Sequence, residues 1–197
     1  MEIEAPIEVP WKSGAWTVLP VAAEESAGRL RVTAAEGSDA WRHTGYGFVH
    51  DDAHALLEHW DREQAVEVAF VAAFDSQFDQ AGLMIRVDTA HWIKAGVEFA
   101  DGALQVGAVV TDGESDWSTA PVPEWAGQEV TIRASRMADA VVIRARAGEE
   151  PWRLIRLAPL PPEAEAKAGP YCCAPSRGGL TVEFTGWRLT DPDAELH

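Results

Sequence analysis

The sequence predicts an all-β fold, an antiparallel sandwich of two sheets. Three observations carry this. Short runs rich in Val, Ile and aromatic residues recur along the chain, turn residues punctuate them, and few segments have helical character. In order, the runs are "RLRVTAA" (29–35), "EVAFVAAF" (67–74), "AGLMIRVD" (81–88), "HWIKAGVEF" (91–99), "LQVGAVVT" (104–111), "EVTIRASR" (129–136), "AVVIRARAG" (140–148), "WRLIRLA" (152–158) and "LTVEFTGWRL" (180–189). Asp101-Gly102, Ala138-Asp139 and the segment 148–151 separate neighbours as turns. Many strands at short spacing favour a sandwich over an α/β fold. Two segments are helical candidates. "AHALLEHW" (53–60) reads equally as a strand, and "PPEAEAKAG" (161–169) opens with prolines and early acids, as a short helix would.

The most informative stretch is "AHWIKAGVEFADGALQVGAVVT" (90–111). An Asp-Gly pair favours a two-residue type I′ turn, which fixes the register of the strands it joins. Ala100 then faces Ala103, Glu98 faces Gln105, Lys94 faces Val109 and Trp92 faces Thr111. Alternation gives one oily side, from Ile93 and Val97 to Val106 and Val110. The other side carries Trp92, Lys94, Gly96, Glu98, Gln105, Gly107 and Thr111. Gly96 and Gly107 oppose each other and leave a dent beside an aromatic ring. If "AGLMIRVD" is the neighbouring strand, Met84 and Arg86 join this surface.

With 197 residues the chain fits one domain, 1–197, with a core of about 11–190 and short acidic ends. Hydrophobic residues make up 47%, ample for a sizeable core. The net charge is −16, with only 16 Lys and Arg spread along the chain, which argues against nucleic acid and anionic membranes as partners. No run approaches transmembrane length, and "MEIEAPIEVPWKSG" lacks the basic start and apolar run of a signal peptide. The only two cysteines, Cys172 and Cys173, are adjacent and ill placed for a disulfide. A cytoplasmic protein with reduced, inert thiols is the expectation.

Nine tryptophans is an unusual number; they can cover loops at the sandwich edge, and aromatic rings also serve well at ligand surfaces. Trp41, Tyr46, Trp92 and Trp117 are candidates for a stacking platform, with Arg42, Gln80, Lys94, Glu98 and Asp116 as planar polar partners. Lys94 and Glu98 are four residues apart on a strand, roughly 13 Å, and are expected to pair elsewhere. Arg86 or Arg42 would pair with Glu98, and Asp79 or Asp116 with Lys94. "SDWS" (115–118) suits a loop closed by side-chain hydrogen bonds, with Trp117 at the rim near Trp92. "HDDAH" (50–54) has a metal-like spacing, His50, Asp52 and His54 sharing a strand face, but a polar strand end explains it as well.

Four stretches, "WRHTGYGFVHDDAH", "FDQAGLMIRVDTAHWIKAGVEFADG", "VVTDGESDWST" and "GPYCCAPSRGGLTVEF", resemble in order and spacing an uncharacterised domain family that includes the regulation-of-enolase proteins. That family is placed in the concanavalin A-like lectin/glucanase superfamily. The resemblance covers about residues 11–190 and implies a jelly-roll-like sandwich with one concave sheet. Its characteristic residues fall on Trp41, Arg42, Thr44, Tyr46, Gly47, Asp79, Gln80, Gly82, Trp92, Lys94, Glu98, Thr111, Ser115, Asp116, Trp117, Ser118, Cys172 and Cys173. Phe78 and Ala174 depart from it, each removing a hydroxyl. Sandwich glucanases of the superfamily use two glutamates close together on one strand. Retaining chemistry needs carboxyls about 5 Å apart, and here no second acid shares the strand face of Glu98.

The sequence therefore points to a non-catalytic binding protein whose concave sheet takes a small polar ligand, a carbohydrate or sugar phosphate. The ligand-binding set is Trp41, Arg42, Tyr46, Gln80, Arg86, Trp92, Lys94, Glu98, Asp116 and Trp117, with no catalytic residue, metal ligand or cofactor. Two alternatives stand beside it: a protein-interaction or regulatory module linked to central carbon metabolism, and a sugar-active hydrolase or isomerase.

Overall fold

The computed structural model describes residues 5–196. Two antiparallel sheets face each other. The first runs, edge to edge, β15 (Arg153–Pro159), β14 (Ala140–Ala147), β13 (Glu129–Met137), β8 (Ala65–Val71), β17 (Thr181–Thr190), β4 (Arg29–Thr33) and β3 (Ala22–Ser26), with β1 (Ile7–Glu8) paired to β17. The second runs β12 (Glu114–Pro121), β11 (Ala103–Asp112), β10 (His91–Ala100), β9 (Gln80–Arg86), β16 (Ala166–Cys173), β7 (His54–Trp60) and β2 (Ala15–Trp16). A ribbon of β5 (Ala40–Arg42) and β6 (Val49–Asp51) is a third, separate pairing. The only helical turns among the described residues are single 3₁₀ turns at Trp11–Ser13 and Pro123–Trp125. This is the predicted all-β sandwich.

The main core lies between the sheets and is anchored by Trp60, Trp125, Trp187, Phe70 and Phe184, all essentially without solvent contact. The predicted register of the central hairpin holds at every pair, from Ala100 with Ala103 to Trp92 with Thr111. Asp101 and Gly102 take the positive φ angles, 54° and 82°, that a type I′ turn demands. Strand β9 lies beside β10 and brings Gln80 opposite Glu98 and Met84 opposite Lys94.

Two local expectations are corrected, and one left open is decided. Residues 161–169 are not a helix: a turn leads into β16, which is central in the second sheet. From Lys167 on, tertiary pairing with β9 overrides the helical preference of the segment. Pro170, which lacks an N–H, is accommodated because pairing with β7 lapses between Ala168 and Tyr171. "AHALLEHW" resolves as strand β7, not helix. "SDWS" is not a loop but part of edge strand β12; Trp117 stands opposite Val109 rather than near Trp92.

The second sheet is buried on both sides at its centre, because the β5–β6 ribbon lies across its outer face. Beneath it sits a second, smaller core of Trp41, Leu57, Met84, Trp92, Val109, Tyr171 and Cys173. Its root is fixed by Asp39, whose carbonyl accepts from the N–H groups of Asp52 and Ala53. Its sides are fixed by Arg86, paired through two hydrogen bonds of 2.6 and 2.7 Å with Asp51, and by Arg42, which donates to the Gly113 carbonyl. Three glycines in register, Gly82, Gly96 and Gly107, cross the sheet under the ribbon's open side.

Candidate functional site

Between the ribbon and the concave sheet opens a cavity of about 400 Å³. One wall is aromatic. Trp41 meets Tyr46 and Trp117 edge to face, at 5.4 and 6.2 Å between ring centres, and Tyr46 stacks on Phe48. The ribbon's tight turn makes this wall possible. His43, Gly45 and Gly47 have positive φ, and the Trp41 indole donates to the Thr44 carbonyl at 2.9 Å, holding the turn over its own ring. Tyr46, Phe48 and Trp117 remain 40–55% exposed, an unusual state for aromatics that the opening to the cavity explains.

The floor is polar. The buried Lys94 ammonium donates to Asp39 Oδ1 and Gln80 Oε1, both at 2.9 Å. Gln80 stands across from Glu98, so Lys94 reaches along its own strand toward that carboxylate without bonding to it. Glu98 accepts from the Trp117 indole N–H at 2.9 Å. Burial would pull the Lys94 ammonium down, but the Asp39 carboxylate, together with Cys173 and Glu98, outweighs it and holds the group above the usual lysine value. Burial pushes Glu98 above the usual carboxylate value, and Lys94 and the Trp117 N–H oppose this only in part.

The sign of that shift is testable. A raised carboxyl pKa means the folded state holds a proton that the unfolded chain has released. Stability contributed by Glu98 is therefore full below its unfolded value and is lost as pH rises through the folded one. Glu98→Gln is expected to gain stability relative to wild type as pH rises across that window. Parallel urea titrations at several pH values check this, and a constant difference would contradict the shift.

Of the ten residues predicted from sequence, six line the cavity: Trp41, Tyr46, Gln80, Lys94, Glu98 and Trp117. Four do not. Trp92 is 2% exposed within the second core and has no free face to stack on a ligand. Arg42 and Arg86 are spent anchoring the ribbon, so neither pairs with Glu98. Asp116 pairs with Arg156 at 2.9 Å, and Asp79 with Arg177, so neither meets Lys94. Trp92, Arg42 and Arg86 are taken up by the ribbon, a layer that strand alternation does not reveal, and Asp116 by Arg156.

The structure adds Asp39, Phe48, His50 and Phe78 to the lining. His50 and His54 lie on different strands rather than one face. His54 is buried: its Nε2 accepts from the Ala35 N–H, and Nδ1 contacts the Val18 carbonyl. No group of three metal-ligating side chains occurs among the described residues. Cys172 and Cys173 are free and buried; burial pushes the Cys172 thiol up to about 12 and Cys173 well above its usual value, so both remain protonated near neutrality.

Two antiparallel β-sheets packed face to face form a β-sandwich of the kind also found in lectins. The chain belongs to the family described as protein of unknown function (DUF1349), which matches residues 16–192. It is 37% identical over 179 residues to Regulation of enolase protein 1 of Saccharomyces cerevisiae, covering 91% of this chain and 90% of that one. The crystal structure of a functionally unknown protein from Saccharomyces cerevisiae superposes with a TM-score of 0.88 at 35% identity, over 94% of this chain and all of that one. Lectin I-B4 from Griffonia simplicifolia, in its metal-free form, shares the fold at a TM-score of 0.55 and 16% identity, over 91% of this chain and 93% of that one. No helix among the described residues is long and apolar enough to cross a membrane.

Proposed function

We propose that the protein is a non-catalytic binding module whose concave cavity takes a neutral carbohydrate of about one sugar ring. The observation that carries this reading is the pairing of an exposed aromatic wall with a polar floor in one cavity of about 400 Å³. A pyranose has an apolar face for Trp117 and Tyr46 and hydroxyls for Lys94 and Glu98. A sugar phosphate fits less well. Lys94 is the only Lys or Arg in the lining, and its charge is already matched by Asp39. Hydrolysis by paired carboxylates is disfavoured for a related reason. The ribbon root does bring Asp39 near Glu98, but Asp39 is held by Lys94 and by the Ala40 N–H.

Titration with neutral monosaccharides and their phosphates, followed by tryptophan fluorescence, tests this. Neutral sugars are expected to shift the emission, and Trp117→Ala to weaken binding about tenfold or more. If no saccharide perturbs either emission or melting temperature, the reading fails.

A second reading is favoured by the relative named Regulation of enolase protein 1. It makes the chain a regulatory module that contacts a protein of central carbon metabolism. The two are compatible if the ligand controls the contact. Affinity capture with and without added sugar separates them.

A further inference from the structure

Below the main cavity the floor continues into a recess of about 20 Å³, lined by Gln80, Lys94, Gly96, Glu98, Gly107, Trp117 and Tyr171. Gly96 and Gly107 oppose each other along its edge. Tyr171, across from Gly82 on β16, closes one side. The volume suits a single oxygen atom of water size and little more.

The polar groups can be counted. Gln80 is spent, accepting from Lys94 through Oε1 and donating to the Phe78 carbonyl through Nε2. The Trp117 N–H is spent on Glu98 Oε1. Lys94 has three N–H donors and uses two. Tyr171 is 3% exposed, yet its hydroxyl has no hydrogen-bond partner among the described residues. Glu98, with one oxygen engaged, retains acceptor capacity. Two donors and one acceptor are left over, and they line one space. An alcohol hydroxyl is the group that meets this set: it gives its proton to Glu98 and takes hydrogen bonds from Lys94 and Tyr171.

We propose that this recess is a socket for one hydroxyl of the bound sugar, and that Tyr171 is the residue that makes the site selective for it. The proposal rests on the carbohydrate reading above. A ligand lacking that hydroxyl leaves the buried Tyr171 and Lys94 donors unmatched, which costs more than the loss of an exposed hydrogen bond. A methyl ether at the same position is too large for the recess.

The test uses the wild-type protein, Tyr171→Phe, a monosaccharide that binds, its single-deoxy analogues and its O-methyl ethers. One deoxy position is expected to lose about tenfold or more in affinity, and the O-methyl ether at that position to lose at least as much. Tyr171→Phe is expected to bind the parent sugar about tenfold more weakly while discriminating less between parent and deoxy sugar. The ethers need no variant, so the result survives if Tyr171→Phe folds poorly. If the parent binds and all deoxy analogues and ethers bind equally, the socket is wrong and the carbohydrate reading stands. An undiminished parent-to-deoxy ratio in a folded Tyr171→Phe protein likewise removes Tyr171 from the role. If no monosaccharide binds wild type, both are overturned.

Discussion

Replacing Lys94 by Met is expected to cost the folded protein about 3 kcal/mol, because it strands the Asp39 carboxylate and the Gln80 carbonyl in a half-closed space. Asp39 retains the Ala40 N–H and some solvent contact, which keeps the loss at the lower end for a broken buried pair. The diagnostic comparison is the double variant Lys94→Met/Asp39→Asn, which removes both charges. It is expected to recover about 2 kcal/mol relative to the single change, since residues in direct contact couple strongly. Guanidinium unfolding of wild type, both singles and the double measures this. Losses that simply add would show that the pair does not tie the ribbon to the sheet.

The second large effect is expected at Gly96. A Cβ built there would lie 2.1 Å from the Ala81 carbonyl oxygen and 2.9 Å from the Gly82 Cα, both backbone atoms that cannot move aside without shifting β9. Gly96→Ala is therefore expected to destabilise by at least about 3 kcal/mol, at or beyond the top of the usual range for overpacking. Gly102→Ala is the control. Its Cβ would meet nothing, so only its left-handed backbone, φ 82°, opposes the change, at about 1–2 kcal/mol. Thermal and denaturant melts rank the two. Equal losses would mean that the glycines matter for backbone conformation alone and not for the closeness of the strands.

What was readable in the sequence follows from where local physics decides. The Asp101-Gly102 turn sets its register within a few residues, and alternation then sorts every side chain of the hairpin, including Lys94, Glu98 and the opposed Gly96 and Gly107. The ribbon was not readable. Its strands are three residues each, too short for a period, and its partners come from distant parts of the chain. That is why Trp92, which faces the right way, turned out to be covered, and why Asp39, in an irregular link before β5, went unnoticed. Its one sequence signal is an Asp directly ahead of "AWR", where a carboxylate close to a short strand can cap the backbone; its side chain does accept the Ala40 N–H. Tyr171 was hidden differently. It lies in a strand that follows the helix-like segment with Pro161, Pro162, Glu163 and Glu165, and only pairing with β9 reveals which way it faces.

The ribbon has an evolutionary corollary. The sheet that bears Lys94, Glu98 and Tyr171 is locked by its neighbours on two sides, whereas Tyr46 and Phe48 sit on a short exposed tip. Substitutions at that tip reach the rest of the fold chiefly through Trp41, which Tyr46 meets edge to face, so this corner can diversify while the sheet beneath it stays fixed.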